Sequence, residues 1–426
     1  MSNERAIICG NAPHTNLPFE DAKPVQLRLW GPHQNVTLCI DDIRRCMLSD
    51  IPSQFLDLIE IATYIYCADQ AVTRGGDGVD NLGENWRRRL YLRIPVRNPD
   101  LWSSSDLQKL MGSTLGFLSE DEYLFDFTKL EKGPPIQQYL KFSDEDVSPG
   151  NLEEVVLYSG GLDSLGGAIQ EAVVDKRKVA LITHKPTKKL EKRYKHLNKL
   201  LSEHSQNAVP IYIPVSINKG KALSREYTQR SRSFLYAALG STIAQMIGLS
   251  RIRFYENGIV SFNLPPSAQV VGAKATRTTH PQAINGFAQI LTAVANKRFT
   301  VENPFLWLTK TEVLELIEKA GCSELIKFAT SCAHTWEITK LKTHCGKCSQ
   351  CIDRRFAVLA AGLEEHDPKE MYKVDLLEDE RDEGEPRTML AAYVETASEI
   401  TRMSPVEFFS RYGEAVSYTH LTLPTN

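Results

Sequence analysis

The sequence predicts an α/β fold: a parallel sheet with helices on both faces, preceded by a separate α+β domain. Three observations predict it. From residue 151 onward, runs that are apolar at every position, such as Val155-Val156-Leu157-Tyr158 and Val179-Ala180-Leu181-Ile182, alternate with helical stretches. Unbroken apolar runs suit strands buried on both faces, which parallel sheets require. The first run leads directly into Ser159-Gly160-Gly161-Leu162-Asp163-Ser164 and then a helical pattern through Ala168, Ile169 and Ala172. That is the strand–turn–helix unit of such sheets. Before residue 148, in contrast, Val25–Trp30 and Arg89–Val96 alternate apolar and polar residues, as half-buried strands do.

The bulk composition sets limits. The 426 residues suggest two or three domains. Hydrophobic residues make up 42% and charged residues 24%, ordinary for a soluble globular chain. A net charge of −3 argues against a surface built for nucleic acid. No apolar run approaches the roughly 18 residues of a membrane span, and the first residues lack a secretion-signal core. The expectation is a cytoplasmic protein with no membrane partner and no direct nucleic-acid contact.

In order, residues 1–148 read as β-β-α-β-α-β. Strands are expected at Val25–Trp30 and Val36–Ile40, joined by a turn at Gln34-Asn35. A helix follows over Pro52–Val72, broken by Gly75-Gly76-Asp77-Gly78. Arg89–Val96 is a strand, Asp106–Leu118 a helix and Tyr123–Phe127 the last strand. Nothing here looks catalytic, and Trp86-Arg87-Arg88-Arg89 reads as a solvated edge more readily than a phosphate contact. Residues 144–150 read as a linker. Residues 151–363 then repeat strand and helix: helices over Lys188–His204, Ser231–Ile247 and Lys310–Lys319 (N-capped by Thr309), strands at Val209–Val215 and Arg251–Tyr255. Residues 364–415 hold an acidic linker and a helix over Thr388–Thr401. Residues 416–426 resemble translated sequencing-adapter sequence and are set aside from the functional argument.

Two motifs carry chemistry. In Ser159–Ser164 the glycines allow positive φ and close approach of the backbone to a ligand. The N–H groups of such a turn, with the positive end of the following helix, favour a phosphate. There is no Gly-Lys-Ser/Thr, so this is no Walker A loop, and no Gly-x-Gly-x-x-Gly. The second motif is Cys345-x-x-Cys348-x-x-Cys351, with Cys332 ahead of it. Four thiolates fill a tetrahedral zinc shell and leave no place for water, so the zinc is read as structural. An iron–sulfur cluster takes the same ligands. His334 and His344 are weaker substitutes, and Cys322 reads as a plain thiol.

Ser-Gly-Gly-x-Asp-Ser resembles the PP-loop of the ATP pyrophosphatases, which are adenine nucleotide alpha hydrolase-like folds. A PP-loop followed by a late four-cysteine site resembles the QueC family, 7-cyano-7-deazaguanine synthase. Asn303-Pro304-Phe305-Leu306-Trp307-Leu308-Thr309-Lys310-Thr311-Glu312-Val313 and Ser331-Cys332 resemble further family segments, and Arg230-Ser231-x-x-Phe234 stands where the family has Arg-Asn-x-x-Phe. The family's substrate segment is hard to find; Glu256-Asn257 occupies that region, and Arg277–Pro281 is unassigned, with His280 read as a satisfied loop histidine. The extra N-terminal region fits the defence-associated branch, found in the Qat system (as QatC) and in type IV CBASS.

The resemblance implies an ATP-dependent C–N ligase. The carboxylate of 7-carboxy-7-deazaguanine would attack the α-phosphate of ATP·Mg²⁺, and an amine, ammonia or that of a partner protein, would displace AMP. Ser159, Asp163 and Ser164 are the catalytic candidates. Those six loop residues, Gly160, Gly161 and Leu162 included, and Arg230 are the ATP-binding candidates. Arg232, Phe234, Glu256 and Asn257 are the substrate candidates, and Cys332, Cys345, Cys348 and Cys351 the zinc ligands. A non-catalytic ATP-binding scaffold is the reading from a different class.

Overall fold

The computed structural model describes residues 3–19, 24–47, 50–74, 87–131, 133, 151–184, 191–206, 208–223, 226, 229–264, 277–334 and 336–412. The expected break at Gly75–Gly78, Trp86, the linker 144–150 and the tail 416–426 lie outside the described residues.

The first half runs β1 (Asn3–Cys9), β2 (Val25–Leu27), β3 (Val36–Leu38), α1 (Ile40–Met47), α2 (Ser53–Ala71), β4 (Arg88–Val96), α3 (Pro99–Trp102), α4 (Ser105–Ser119) and β5 (Glu122–Lys129). The second runs β6 (Glu154–Leu157), α5 (Leu162–Ile169), β7 (Val179–His184), α6 (Glu191–His204), β8 (Ile211–Val215), β9 (Ile217–Lys219), α7 (Arg232–Met246), β10 (Arg251–Arg253), α8 (Gly258–Ser261), α9 (Pro281–Ala295), β11 (Thr300–Glu302), α10 (Lys310–Lys319) and α11 (Ser349–Ala361). Helices α12 (Glu385–Ile400) and α13 (Pro405–Arg411) end the described chain.

The second sheet has the order β11-β10-β6-β7-β8, and every pair in it is parallel. Its strands alternate between two cores. Val155 and Leu157 of β6, with Ala180 and Ile182 of β7, enter one cluster; Val156, Val179 and Leu181 enter the other. Successive residues of a strand face opposite ways, so a strand apolar at every position is buried on both sides. Helix α7 packs on one face, and α5 with α10 behind it covers the other. The sequence-based expectation of a parallel α/β sheet holds here.

The first half departs from its expectation. Its sheet, in the order β2-β1-β4-β5, is wholly parallel, where an α+β arrangement was expected. The chain also does not form the expected hairpin. The Asn35 and Val36 N–H groups do return to the Arg28 carbonyl (3.0 Å each). But Val36–Leu38 leaves that sheet and pairs antiparallel with β9 of the second half. Nor is the first half separate. Helix α2 is buried on nearly every side, packs against α7, and shares one continuous core with the second sheet. A helix buried all round is an interior helix, and the acids of this one, Asp57, Glu60 and Asp69, are paired with arginines. Strands β1, β9 and β11 and helices α1, α3, α8, α9, α11 and α13 were not anticipated.

Candidate functional site

The Ser159–Ser164 turn joins β6 to α5, at the carboxyl end of a central strand, where open parallel sheets bind ligands. It closes on itself. The Ser159 N–H donates to Ser164 Oγ (3.2 Å), the two hydroxyls lie 3.0 Å apart, and Gly161 N–H donates to Ser159 Oγ (3.3 Å). Gly160 has φ +76°, and a Cβ there would stand 1.9 Å from Cε1 of Tyr194. Tyr194, from α6, in turn donates its hydroxyl to the Ser159 carbonyl (2.9 Å). On the other side Thr330 N–H donates to the Gly160 carbonyl (2.8 Å), and Arg193 Nε donates to Thr330 Oγ1 (3.2 Å). The turn is thus held from three directions before any ligand arrives.

Asp163 faces a polar cluster. Asn257 Nδ2 donates to Asp163 Oδ1 (3.3 Å), and the Lys310 ammonium lies 3.5 Å from Asp163 Oδ2 and 2.5 Å from Asp353 Oδ2. Burial pushes the Asp163 carboxyl up and outweighs Lys310, while Asp353 adds to the rise. Burial works against the Lys310 charge, but the two carboxylates overcome it and hold the ammonium protonated. Glu256 is pushed up by burial, and accepts from the Thr278 (2.7 Å) and Thr279 (2.5 Å) hydroxyls. Asn303 grips the Glu256 backbone from both sides. Lys310, Asp353, Tyr194, Thr330 and the two threonines were not singled out from the sequence. Lys310 was not readable from its local pattern: a lysine in the first turn of an amphipathic helix, behind a threonine N-cap, is ordinarily solvated, yet this one is buried.

The other expected residues fall in different places. Glu256 and Asn257 join the Asp163 cluster. Arg232 lies over the Tyr236 ring (5.5 Å) and shares a buried neighbourhood with Tyr194. Phe234, expected near substrate, is buried in the core against Phe287, which corrects that assignment. Arg230, expected at the phosphates, is turned to the first half: Nη1 donates to the Ser119 carbonyl (3.5 Å), and burial and then Arg74 lower its pKa to about 10. The Arg87–Arg89 run is likewise not a solvated edge throughout. Arg87 is 71% exposed, whereas Arg88 is fully buried between Asp69 and Asp121. His280 is the satisfied histidine expected of it, capping α9 with Nδ1 accepting from Gln282 N–H (3.2 Å). A groove of about 740 Å³ opens beside β5 and α4, lined by Arg87, Arg89, Lys109 and Phe125, and none of the expected ATP or metal residues lines it.

Cys332, Cys345, Cys348 and Cys351 converge, all buried, with their sulfurs within 4.8 Å of one another. Cys345 and Cys351 Sγ lie 3.8 Å apart. A tetrahedron with Zn–S bonds of about 2.3 Å has edges of about 3.8 Å, so the cage fits one zinc ion. A cubane cluster interposes its own irons and sulfides and needs a wider cage. The N–H groups of Lys347 (3.4 Å) and Cys348 (3.3 Å) donate to Cys345 Sγ, as suits a thiolate. Gly346, at φ +76°, lets the knuckle pass within contact of Val374, whose carbonyl a Cβ would strike at 1.9 Å. His334 stands beside Cys345, stacks on Trp336 and pairs with Glu337, and His344 stacks on Tyr372; neither belongs to the set of four converging sulfurs. Cys322 is a buried thiol, raised to about 11 by burial.

Residues 274–362 match the protein family described as Queuosine biosynthesis protein QueC. Over 85 residues the chain is 33% identical to the 7-cyano-7-deazaguanine synthase of Methanocaldococcus jannaschii, a match that covers 19% of this chain and 36% of that relative. The chain therefore spans about a third of the length of the curated relative it matches. The family match includes Lys310, Asp353 and all four cysteines; the Ser159–Ser164 turn lies before it.

Proposed function

We propose that this chain is a QueC-like, ATP-dependent synthase that activates a 7-deazaguanine carboxylate and joins it to an amine. The observation that carries the reading is the closed Ser159–Ser164 turn with Asp163 and Lys310 at its mouth, where Lys310 comes from the segment 274–362 that matches the QueC family. A carboxylate is a poor electrophile; transfer of AMP to it creates a leaving group. The substrate oxygen attacks the α-phosphorus, the α–β phosphoanhydride bond breaks and pyrophosphate leaves with the electron pair. The amine then adds to the acyl carbon and AMP departs.

The chain's residues divide the work. The turn backbone and the Ser159 and Ser164 hydroxyls hold the leaving pyrophosphate with donors fixed before reaction. Lys310 supplies a protonated ammonium to the phosphate charge, and Asp163, at the mouth of the turn, would hold the Mg²⁺ carried with ATP. Glu256 and Asn257 face the same mouth and hold the base. The four-cysteine knuckle would hold zinc through sulfur alone and so serve the fold, not the reaction.

The acceptor is proposed to be an amine of a partner protein, as in the defence-associated branch, with the first half of the chain as the feature added for that task. The test is incubation with ATP, Mg²⁺ and 7-carboxy-7-deazaguanine, with ammonia or with co-expressed neighbouring proteins. Pyrophosphate release that disappears in Ser159→Ala and Asp163→Ala is the expected result. A deazaguanine-sized mass on a neighbour supports protein modification; free 7-cyano-7-deazaguanine alone, which requires a second ATP to adenylate the amide oxygen and expel it with AMP, assigns the chain the reaction named for its archaeal relative. No pyrophosphate with any acceptor overturns the reading in favour of a binding scaffold.

A further inference from the structure

We infer that Asp353, two residues beyond the last knuckle cysteine, is a positioning residue that tethers the Lys310 ammonium at the phosphate turn. The inference rests on the ATP chemistry proposed above. Lys310 stands in the first turn of α10, and Asp353 in the first turns of α11, whose N-cap is Cys348. The two helices pack against each other, and α10 also packs on α5, which begins at the phosphate turn. The lysine side chain is 5% exposed, Asp163 16% and Asp353 26%.

The two contacts of the ammonium are unequal. Both are ion pairs, but Asp353 Oδ2 stands at 2.5 Å from the ammonium and Asp163 Oδ2 a full ångström farther, at 3.5 Å. An incoming polyphosphate competes for the same ammonium, and the longer contact yields first. Asp353, on a different helix from the turn, keeps its hold while Asp163 is released to the ion or the loop. A lysine carries four rotatable bonds, and fixing it before substrate arrives removes an ordering cost from the reaction. The geometry also gives the knuckle a second consequence: the helix it caps is the one that carries the tether, so the Cys351 turn and the lysine position are mechanically linked.

Two measurements decide it. Asp353→Asn keeps the shape and loses the charge. It is expected to lower kcat for pyrophosphate release by roughly ten- to a hundredfold, with KM for ATP changed less than threefold and zinc content unchanged. Asp353→Glu, which restores the charge on a longer arm, should recover part of kcat. Independently of turnover, thermal unfolding of Asp353→Asn, Lys310→Met and the double variant forms a cycle. The drop in Tm caused by Asp353→Asn should vanish when Lys310 is already methionine. Additive shifts would overturn the pair. Coupled shifts with wild-type kcat in Asp353→Asn would overturn the positioning role. Wild-type protein that releases no pyrophosphate overturns the proposed reaction, and the tethering role with it, while the cycle still decides whether the contact exists.

Discussion

At the scale of single residues, the site depends on one glycine and one tyrosine. Gly160 sits at positive φ with Tyr194 pressed against the place where a Cβ would go. Gly160→Ala therefore meets two obstacles at once, a backbone well that alanine disfavours and a ring that must move. We expect at least about a hundredfold loss of pyrophosphate release and a destabilisation of about 1–3 kcal/mol, read by urea denaturation. Tyr194→Phe removes only the hydroxyl that donates to the Ser159 carbonyl. It should cost about 1 kcal/mol and leave turnover within a fewfold, because the ring still supports the turn. Equal losses in both variants would show that the hydroxyl, not the ring, sets the turn.

At the scale of elements, what the sequence made legible follows from how local the cause is. Helix α10 spans Lys310–Lys319 as expected, because a capping box states its start: Thr309 Oγ1 accepts from Glu312 N–H, and Glu312 returns to Thr309 N–H. Thr309→Ala should cost about 1 kcal/mol by chemical denaturation. The knuckle was legible for the same reason, since cysteine spacing alone brings three sulfurs to one point. Cys345→Ser removes the sulfur that receives two backbone N–H groups, and it should lower the bound zinc, measured by mass spectrometry of the native protein, well below one per chain. The hairpin expected at Gln34-Asn35 failed because its local signal is real but incomplete. The turn closes, yet β3 finds its partner 180 residues further on, where β9 and the shared core bury Val36 and Leu38. Arg230 and Phe234 were misplaced because a motif fixes sequence position and says nothing of which way a side chain turns. Asp353 carried no signal of its own; its meaning comes from Lys310, on another helix.

At the scale of the whole molecule, the two sheets share one buried core and should therefore unfold as one cooperative unit. Asp69 of α2 accepts from Arg88 and Arg74 of the first half, and also from Ser231 N–H (3.1 Å) and Oγ (3.0 Å) at the head of α7. Asp121 completes the cluster by accepting from both arginines. Breaking such a buried set by removing one charge costs about 3–5 kcal/mol. Asp121→Ala should therefore lower Tm in a single transition seen equally by circular dichroism and tryptophan fluorescence; two separate transitions would show the halves to be independent. The same joint has a pH dependence with a defined sign. His184, the last residue of β7, is enclosed by Tyr66 of α2 and Tyr236 of α7, and its Nε2 lies 2.9 Å from the Ile217 carbonyl. Burial, and then the nearby Arg232, push its pKa down to about 3. The unfolded chain, near 6.5, thus takes up the proton first. The contribution of neutral His184 is complete above pH 6.5 and is lost progressively as pH falls from there toward 3. His280, lowered to about 4 by burial and Arg277, acts in the same direction. In urea denaturation between pH 7 and 4, His184→Gln should therefore remove up to about 1.4 kcal/mol per pH unit of the acid-side loss of stability, measured against the wild-type slope. An unchanged slope in His184→Gln would mean that the imidazole is solvated, and that the seam between the halves is open where the structure closes it.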